Sequence, residues 1–139
     1  MLIIYDTRTG STRSFVKDCG FTNVKRISKD LIVEEPFVLV TYTTTLRIDG
    51  VKQNGLPPTS TMEFLKHNGE YLVGVAASGD RNWGKENFAK SADYICERYN
   101  NAKLICKFQK RGTERDRSVF IKGVELLDEG LSQIQQQYH

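Results

Sequence analysis

Four short apolar runs punctuate the chain: Leu2-Ile3-Ile4-Tyr5, Phe37-Val38-Leu39-Val40, Tyr71-Leu72-Val73-Gly74-Val75-Ala76-Ala77 and Leu104-Ile105-Cys106-Lys107-Phe108. The first three are nearly continuous rather than alternating, as expected of parallel strands covered on both faces. A weaker run at residues 23–27 alternates apolar and polar positions and reads as an edge strand. Between the runs the spacing turns helical. Phe88, Ala92, Ile95 and Tyr99 form one stripe and predict a helix over about residues 85–99. Phe120, Val124, Leu127 and Leu131 repeat that spacing near the C-terminus. Met62 and Leu65 sit on a shorter helix that Pro57, Pro58 and Thr59 open. Phe15 and Val16 lie in a segment from Ser11 to Cys19, with Gly20 placed to stop it. The order β-α-β-β-α-β-α-β-α predicts an α/β fold with a parallel sheet. Residues 28–36 break the alternation, being too short for a helical crossover. Residues 133–139 are polar and are expected to fray.

Composition narrows the classes. A chain of 139 residues with 39% hydrophobic and 27% charged residues is expected to be one globular domain, 1–139. The net charge of +3 is too small for a dedicated nucleic-acid binder. No apolar run approaches the ~18–20 residues of a membrane helix. No basic segment precedes an apolar one at the N-terminus, so no signal peptide is expected. Cys19, Cys96 and Cys106 are odd in number and widely spaced. That argues against a CxxC centre or zinc ribbon and for reduced thiols in a cytoplasm. Cys96 and Cys106 read as core and Cys19 as partly exposed. Neither His67 nor His139 has metal-ligand spacing to other candidate ligands, so no metal site is expected.

In a doubly wound sheet, ligands bind beyond the carboxyl ends of the strands. Three segments of unusual composition meet there. Asp6-Thr7-Arg8-Thr9-Gly10-Ser11-Thr12 follows the first strand and opens a helix. Its hydroxyls and free amides suit a phosphate, although a Ser/Thr cap on an ordinary turn explains the same residues. It is neither a Walker loop nor a GxGxxG dinucleotide loop. Thr41-Tyr42-Thr43-Thr44-Thr45 follows the third strand and continues to Pro58 past Asp49-Gly50 and Asn54-Gly55, both hairpin-turn signals. It reads equally as part of a site or as a surface hairpin. Ser78-Gly79-Asp80-Arg81-Asn82-Trp83-Gly84 carries the only Trp, whose ring either stacks on a planar ligand or covers the following helix. Together the segments describe a phosphate end and a planar-ring end. They bring no Ser/His/Asp set, no Cys/His pair and no carboxylate pair, so a cofactor is expected to carry the chemistry.

Thr7-Arg8-Thr9-Gly10-Ser11-Thr12 resembles the T/S-x-T-G-x-T phosphate loop of flavodoxins. The stretches Val38 to Thr44, Gly74 to Gly84 and Asn87-Phe88-Ala89-Lys90-Ser91-Ala92-Asp93, with the later Gly112-Thr113, more specifically resemble the NrdI family. The resemblance covers about residues 2–127. It implies a flavodoxin-like, doubly wound five-stranded parallel sheet of order 2-1-3-4-5 with helices on both faces. It also implies FMN. Thr7, Arg8, Thr9, Gly10, Ser11 and Thr12 would hold the phosphate. Thr41, Tyr42, Thr43, Thr44 and Thr45 would flank one side of the isoalloxazine, and Ser78, Gly79, Asn82, Trp83 and Gly84 the other. The implied role is that of a redox accessory rather than an enzyme with its own acid–base set. Its reduced flavin reacts with oxygen and supplies superoxide or a close relative to the radical-bearing small subunit of class Ib ribonucleotide reductase. That oxidant assembles the subunit's dimanganese–tyrosyl radical cofactor. The implied electron donor is a flavin reductase or flavodoxin reductase, with no nucleic acid and no membrane among the partners.

Two features depart from the family pattern. Leu46 to Gly55 resembles an insertion, and threonines stand where many relatives have glycines beside the flavin. Electron-transfer flavodoxins are typically acidic, whereas this chain carries +3, with Arg8, Arg47 and Arg81 expected on the cofactor side. A general electron-carrier flavodoxin and a flavin-free interaction module remain the rival readings.

Overall fold

In the computed structural model the apolar runs become the strands of a parallel sheet. Residues 1–137 are described, with the side chains of residues 46–48, 52–54 and 134–137 outside the description. The strands are β1 (Leu2–Tyr5), β2 (Val24–Arg26), β3 (Phe37–Tyr42), β4 (Thr44–Ile48), β5 (Val51–Leu56), β6 (Leu72–Gly79) and β7 (Lys103–Gln109). Five of them form one sheet in the order β2-β1-β3-β6-β7, every pairing parallel. Numbered within the sheet alone, that is the expected 2-1-3-4-5. β4 and β5 pair antiparallel as a separate hairpin.

Both faces of the sheet are covered, which is why the runs are continuous. Leu2, Ile4, Phe37, Leu39, Val75 and Ala77 pack on one face. They meet Phe64 and Leu65 of α2 (Thr59–Asn68) and Ala92 and Ile95 of α3 (Lys90–Arg98). Ile3, Val38, Val40, Ala76 and Phe108 pack on the other, against α1 (Ser11–Asp18) and α4 (Glu114–Gln137). There Phe15 stacks on Phe108 with ring centroids 3.8 Å apart and on Phe120 at 5.4 Å.

Residues 28–36 cross from β2 to β3 without a helix, and one side chain serves two of their backbone groups. Asn68 Oδ1 accepts from the Val33 N–H at 2.8 Å, and its Nδ2 donates to the carbonyls of Leu31 (3.2 Å) and Phe64 (3.0 Å). Buried main-chain groups need such partners, so Asn68 substitutes for a ladder.

Two local expectations are corrected. The helix expected from residue 85 begins at Lys90, because Ala89 before it has φ +48 and residues 84–88 form turns. The stretch after Tyr42 is a hairpin, one of the two readings its sequence offered, but only one of its two turn signals makes the turn. Asp49 and Gly50 (φ +53 and +78) make its turn, whereas Gly55 (φ +84) is the extra residue of a bulge between the Thr44↔Leu56 and Thr45↔Asn54 pairs. The C-terminal helix is helical through Gln137, while Tyr138 and His139 lie outside the described residues.

Candidate functional site

The carboxyl ends of β1, β3, β6 and β7 open on a cavity of about 400 Å³. Its size suits a small-molecule site. Four segments line it. The turn after β1 gives Thr7, Arg8, Thr9, Ser11 and Thr12; the β3–β4 junction gives Tyr42, Thr43, Thr44 and Thr45. The end of β6 and the turn beyond it give Ser78, Gly79, Asp80 and Trp83; the end of β7 gives Gln109 and Lys110.

The first turn is built for donors. Gly10 takes φ +93, which favours glycine, and its N–H donates to Thr7 Oγ1 at 2.9 Å. The Thr12 hydroxyl, 1% exposed, donates to the Asp6 carbonyl and closes the turn. No side chain caps α1, so its first-turn N–H groups are left for a ligand or solvent. Arg8 adds a fixed cation.

The opposite wall is tied down from behind. Thr43 Oγ1 and Ser91 Oγ lie 2.8 Å apart and are buried. Gly79 lies so close to α3 that a Cβ there would stand 2.3 Å from the Ala89 nitrogen. Asp80 Oδ1 accepts from the Asn82 N–H at 2.9 Å and opens the short turn that carries Trp83. The Arg81 guanidinium, expected on the cofactor side, sits 4.3 Å from the centre of the Phe88 ring, and Arg81 is not among the lining residues. Arg47, also expected on this side, has its side chain outside the described residues.

Four expected site residues organise the walls without lining the cavity. Gly10 makes the turn, and Asn82 and Gly84 (φ +85) shape the loop of Trp83. Thr41 is fully buried, its hydroxyl 2.8 Å from that of Thr61 on α2. Asp80, inside the third segment but not among the residues expected to flank the ring, also lines the cavity, as do Gln109 and Lys110, which lie outside all three segments. For the latter two a signal existed: they follow a parallel strand and so fall on the ligand rim.

Electrostatics separates the site from the thiols. The Tyr42 phenol is pushed up, first by burial and then by the Asp6 carboxylate, against the opposing pull of Arg8 and a hydrogen bond with Ser60. Burial pushes Cys19 up to about 11 and Cys106 up to about 12, and it raises Cys96 as well. None of the three lines the cavity. Among the lining residues there is one carboxylate, Asp80, and neither His nor Cys. Such a wall can bind an anion through hydroxyls, amides and the cations Arg8 and Lys110, and a flat ring between Tyr42 and Trp83.

Residues 3–122 match the family model described as NrdI flavodoxin-like. The chain belongs to the NrdI family. It is 41% identical over 123 residues to Protein NrdI of Bacillus licheniformis, an alignment covering 88% of this chain and 86% of the relative. Its fold is similar to that of a Streptococcus pneumoniae flavodoxin, with TM-score 0.59 and 21% identity, covering 92% of this chain and 97% of the other. NrdI proteins are FMN-binding flavoproteins tied to ribonucleotide reductase, and FMN is the cofactor of this chain. The cavity fits that group. The hydroxyl-rich turn with its uncapped amides and the aromatic side chains of Tyr42 and Trp83 line the same cavity. Among the described residues no helix is long and apolar enough to cross a membrane.

Proposed function

We propose that the chain is a single-domain, cytoplasmic redox accessory that activates a class Ib ribonucleotide reductase through FMN. The observation that carries this is the shared rim. A hydroxyl-rich turn flanked by Arg8 and the aromatic residues Tyr42 and Trp83 line one cavity in a chain of the NrdI family. When bound and reduced, FMN supplies the reaction with oxygen whose product, superoxide or a close relative, the partner needs. The protein's residues bind and orient. Thr7, Thr9 and Ser11 would donate to the phosphate, while Thr12, whose hydroxyl proton goes to the Asp6 carbonyl, and Gly10 give the turn its shape. Arg8 neutralises charge. Tyr42, Thr43, Thr44 and Thr45 flank one side of the ring, backed by Thr41. Ser78, Gly79 and Trp83 flank the other, backed by Asn82 and Gly84.

The partner is the radical-bearing, dimanganese small subunit, whose metal and tyrosine become the assembled cofactor. A flavin reductase or flavodoxin reductase supplies the electrons. The excess of cations, +3 overall, favours an acidic or neutral docking face and separates this reading from a general electron-carrier flavodoxin. The test mixes the FMN-loaded, reduced protein with oxygen and the manganese-loaded small subunit and follows the tyrosyl radical by electron paramagnetic resonance. Radical formation that requires this chain supports the proposal. Absence of both complex and radical contradicts it.

A further inference from the structure

Asp6 is a buried carboxylate without a cation. It follows β1, is 7% exposed, and makes no ion pair among the described residues. Its Oδ2 accepts instead from two hydroxyls at the start of α2, Ser60 at 2.5 Å and Thr61 at 2.7 Å. Burying a charge that neutral donors alone compensate is costly. A fold needing only a link between β1 and α2 could use an uncharged residue here.

The carboxylate stands directly behind the cavity. The carboxylate and Ser60 both act on the phenol of Tyr42, which lines it, the one pushing its titration up and the other pulling it down. Thr61 passes the contact on to Thr41 of β3. The carbonyl of Asp6 itself holds the Thr12 hydroxyl of the anion-binding turn. One residue thus touches the first turn and α2, and through Thr61 reaches Thr41, the neighbour of Tyr42 in β3.

We infer that Asp6 is a positioning and charge-setting residue of the FMN site: through its carbonyl it holds Thr12, through Thr61 it braces Thr41 beside Tyr42, and its negative charge favours oxidised over reduced flavin. The inference rests on the FMN reading. Reduction adds negative charge to the cavity's guest or draws a proton to it, and a nearby fixed anion disfavours the more negative form. The same carboxylate already acts on one wall group, since it helps to push the Tyr42 phenol up.

The test measures dissociation constants of oxidised and anaerobically reduced FMN, together with the two-electron midpoint potential. Asp6→Asn keeps the side-chain size and an acceptor but removes the charge. It is expected to raise the affinity for reduced FMN relative to oxidised by about threefold or more and to move the potential positive. Ser60→Ala removes one donor from the carboxylate, leaves its charge less compensated, and is expected to move the ratio and the potential the opposite way. A purely structural role for Asp6 would weaken both redox forms alike and leave their ratio at the wild-type value. An unchanged ratio in both variants overturns the inference while leaving the FMN reading intact. If Asp6→Asn does not fold, the Ser60→Ala ratio decides alone. Failure of the wild-type protein to take up either form overturns the FMN reading itself, and this inference with it.

Discussion

Thr43 and Ser91, 48 positions apart in the chain, face each other through buried hydroxyls 2.8 Å apart. Thr43 also lines the cavity, and its Oγ1 accepts from the Ser91 N–H at 3.4 Å. One side chain therefore joins the wall after β3 to the first turn of α3.

Thr43→Val removes that hydroxyl and strands the Ser91 groups. Leaving a buried donor unmet costs about 1–3 kcal/mol. Urea unfolding is expected to show a loss of that size, with weaker FMN binding because the wall is no longer anchored. A change below about 0.5 kcal/mol, the level of a neutral surface substitution, would contradict the role given to the pair.

The anion-binding turn predicts a difference between two flavins. Thr9 and Ser11 line the cavity, with their hydroxyls 3.4 Å apart. Thr9→Ala and Ser11→Ala are each expected to weaken FMN about tenfold, since a hydrogen bond to a charged group contributes about 1.5–3 kcal/mol. Riboflavin, lacking the phosphate, should be unaffected. Equal losses for FMN and riboflavin in a calorimetric titration would remove the phosphate from this turn.

Gly79 is constrained by space. A methyl group there would meet the Ala89 backbone nitrogen at 2.3 Å, and backbone cannot step aside as a side-chain tip can. Gly79→Ala should destabilise the fold by about 1–3 kcal/mol and displace the loop of Trp83. Because Trp83 is the chain's only tryptophan, its emission reports that displacement directly.

The buried thiols make the fold sensitive to alkali. Cys19 and Cys106 hold their protons to about 11 and about 12, against an ordinary value of 9.0. Below pH 9 both states are protonated and the thiols' contribution is fully present. As pH rises from about 9 toward 12, the unfolded chain ionises first and is favoured, so stability falls. Urea midpoints at pH 8 and pH 10 should show the drop, smaller in Cys106→Ala. Thiol reagents at pH 8 should label the folded protein slowly.

Much of this was legible in the sequence, for identifiable reasons. Continuous apolar runs such as Phe37 to Val40 report burial on both faces, and β3 lies at the centre of the sheet. The hydroxyl-rich turn was visible because Thr7 to Thr12 are contiguous. What stayed hidden depends on contacts distant along the chain. Asn68 serving the backbone of residues 31–33, and Asp6 facing Ser60 and Thr61, leave no local signature. Asn54-Gly55 resembled a turn because a bulge needs the same left-handed glycine that a hairpin turn does. The start of α3 differs from expectation because Phe88 continues the apolar stripe, whereas the left-handed backbone at Ala89, which lies close against Gly79, leaves no mark in composition.

A crystal structure of the FMN complex tests the central claim most directly. The account predicts the phosphate among the hydroxyls of Thr7, Thr9 and Ser11 and the N–H groups that open α1, with the ring system between Tyr42–Thr45 on one side and Ser78–Trp83 on the other. A phosphate bound anywhere else, or a flavin that leaves Trp83 and Tyr42 untouched, would contradict it.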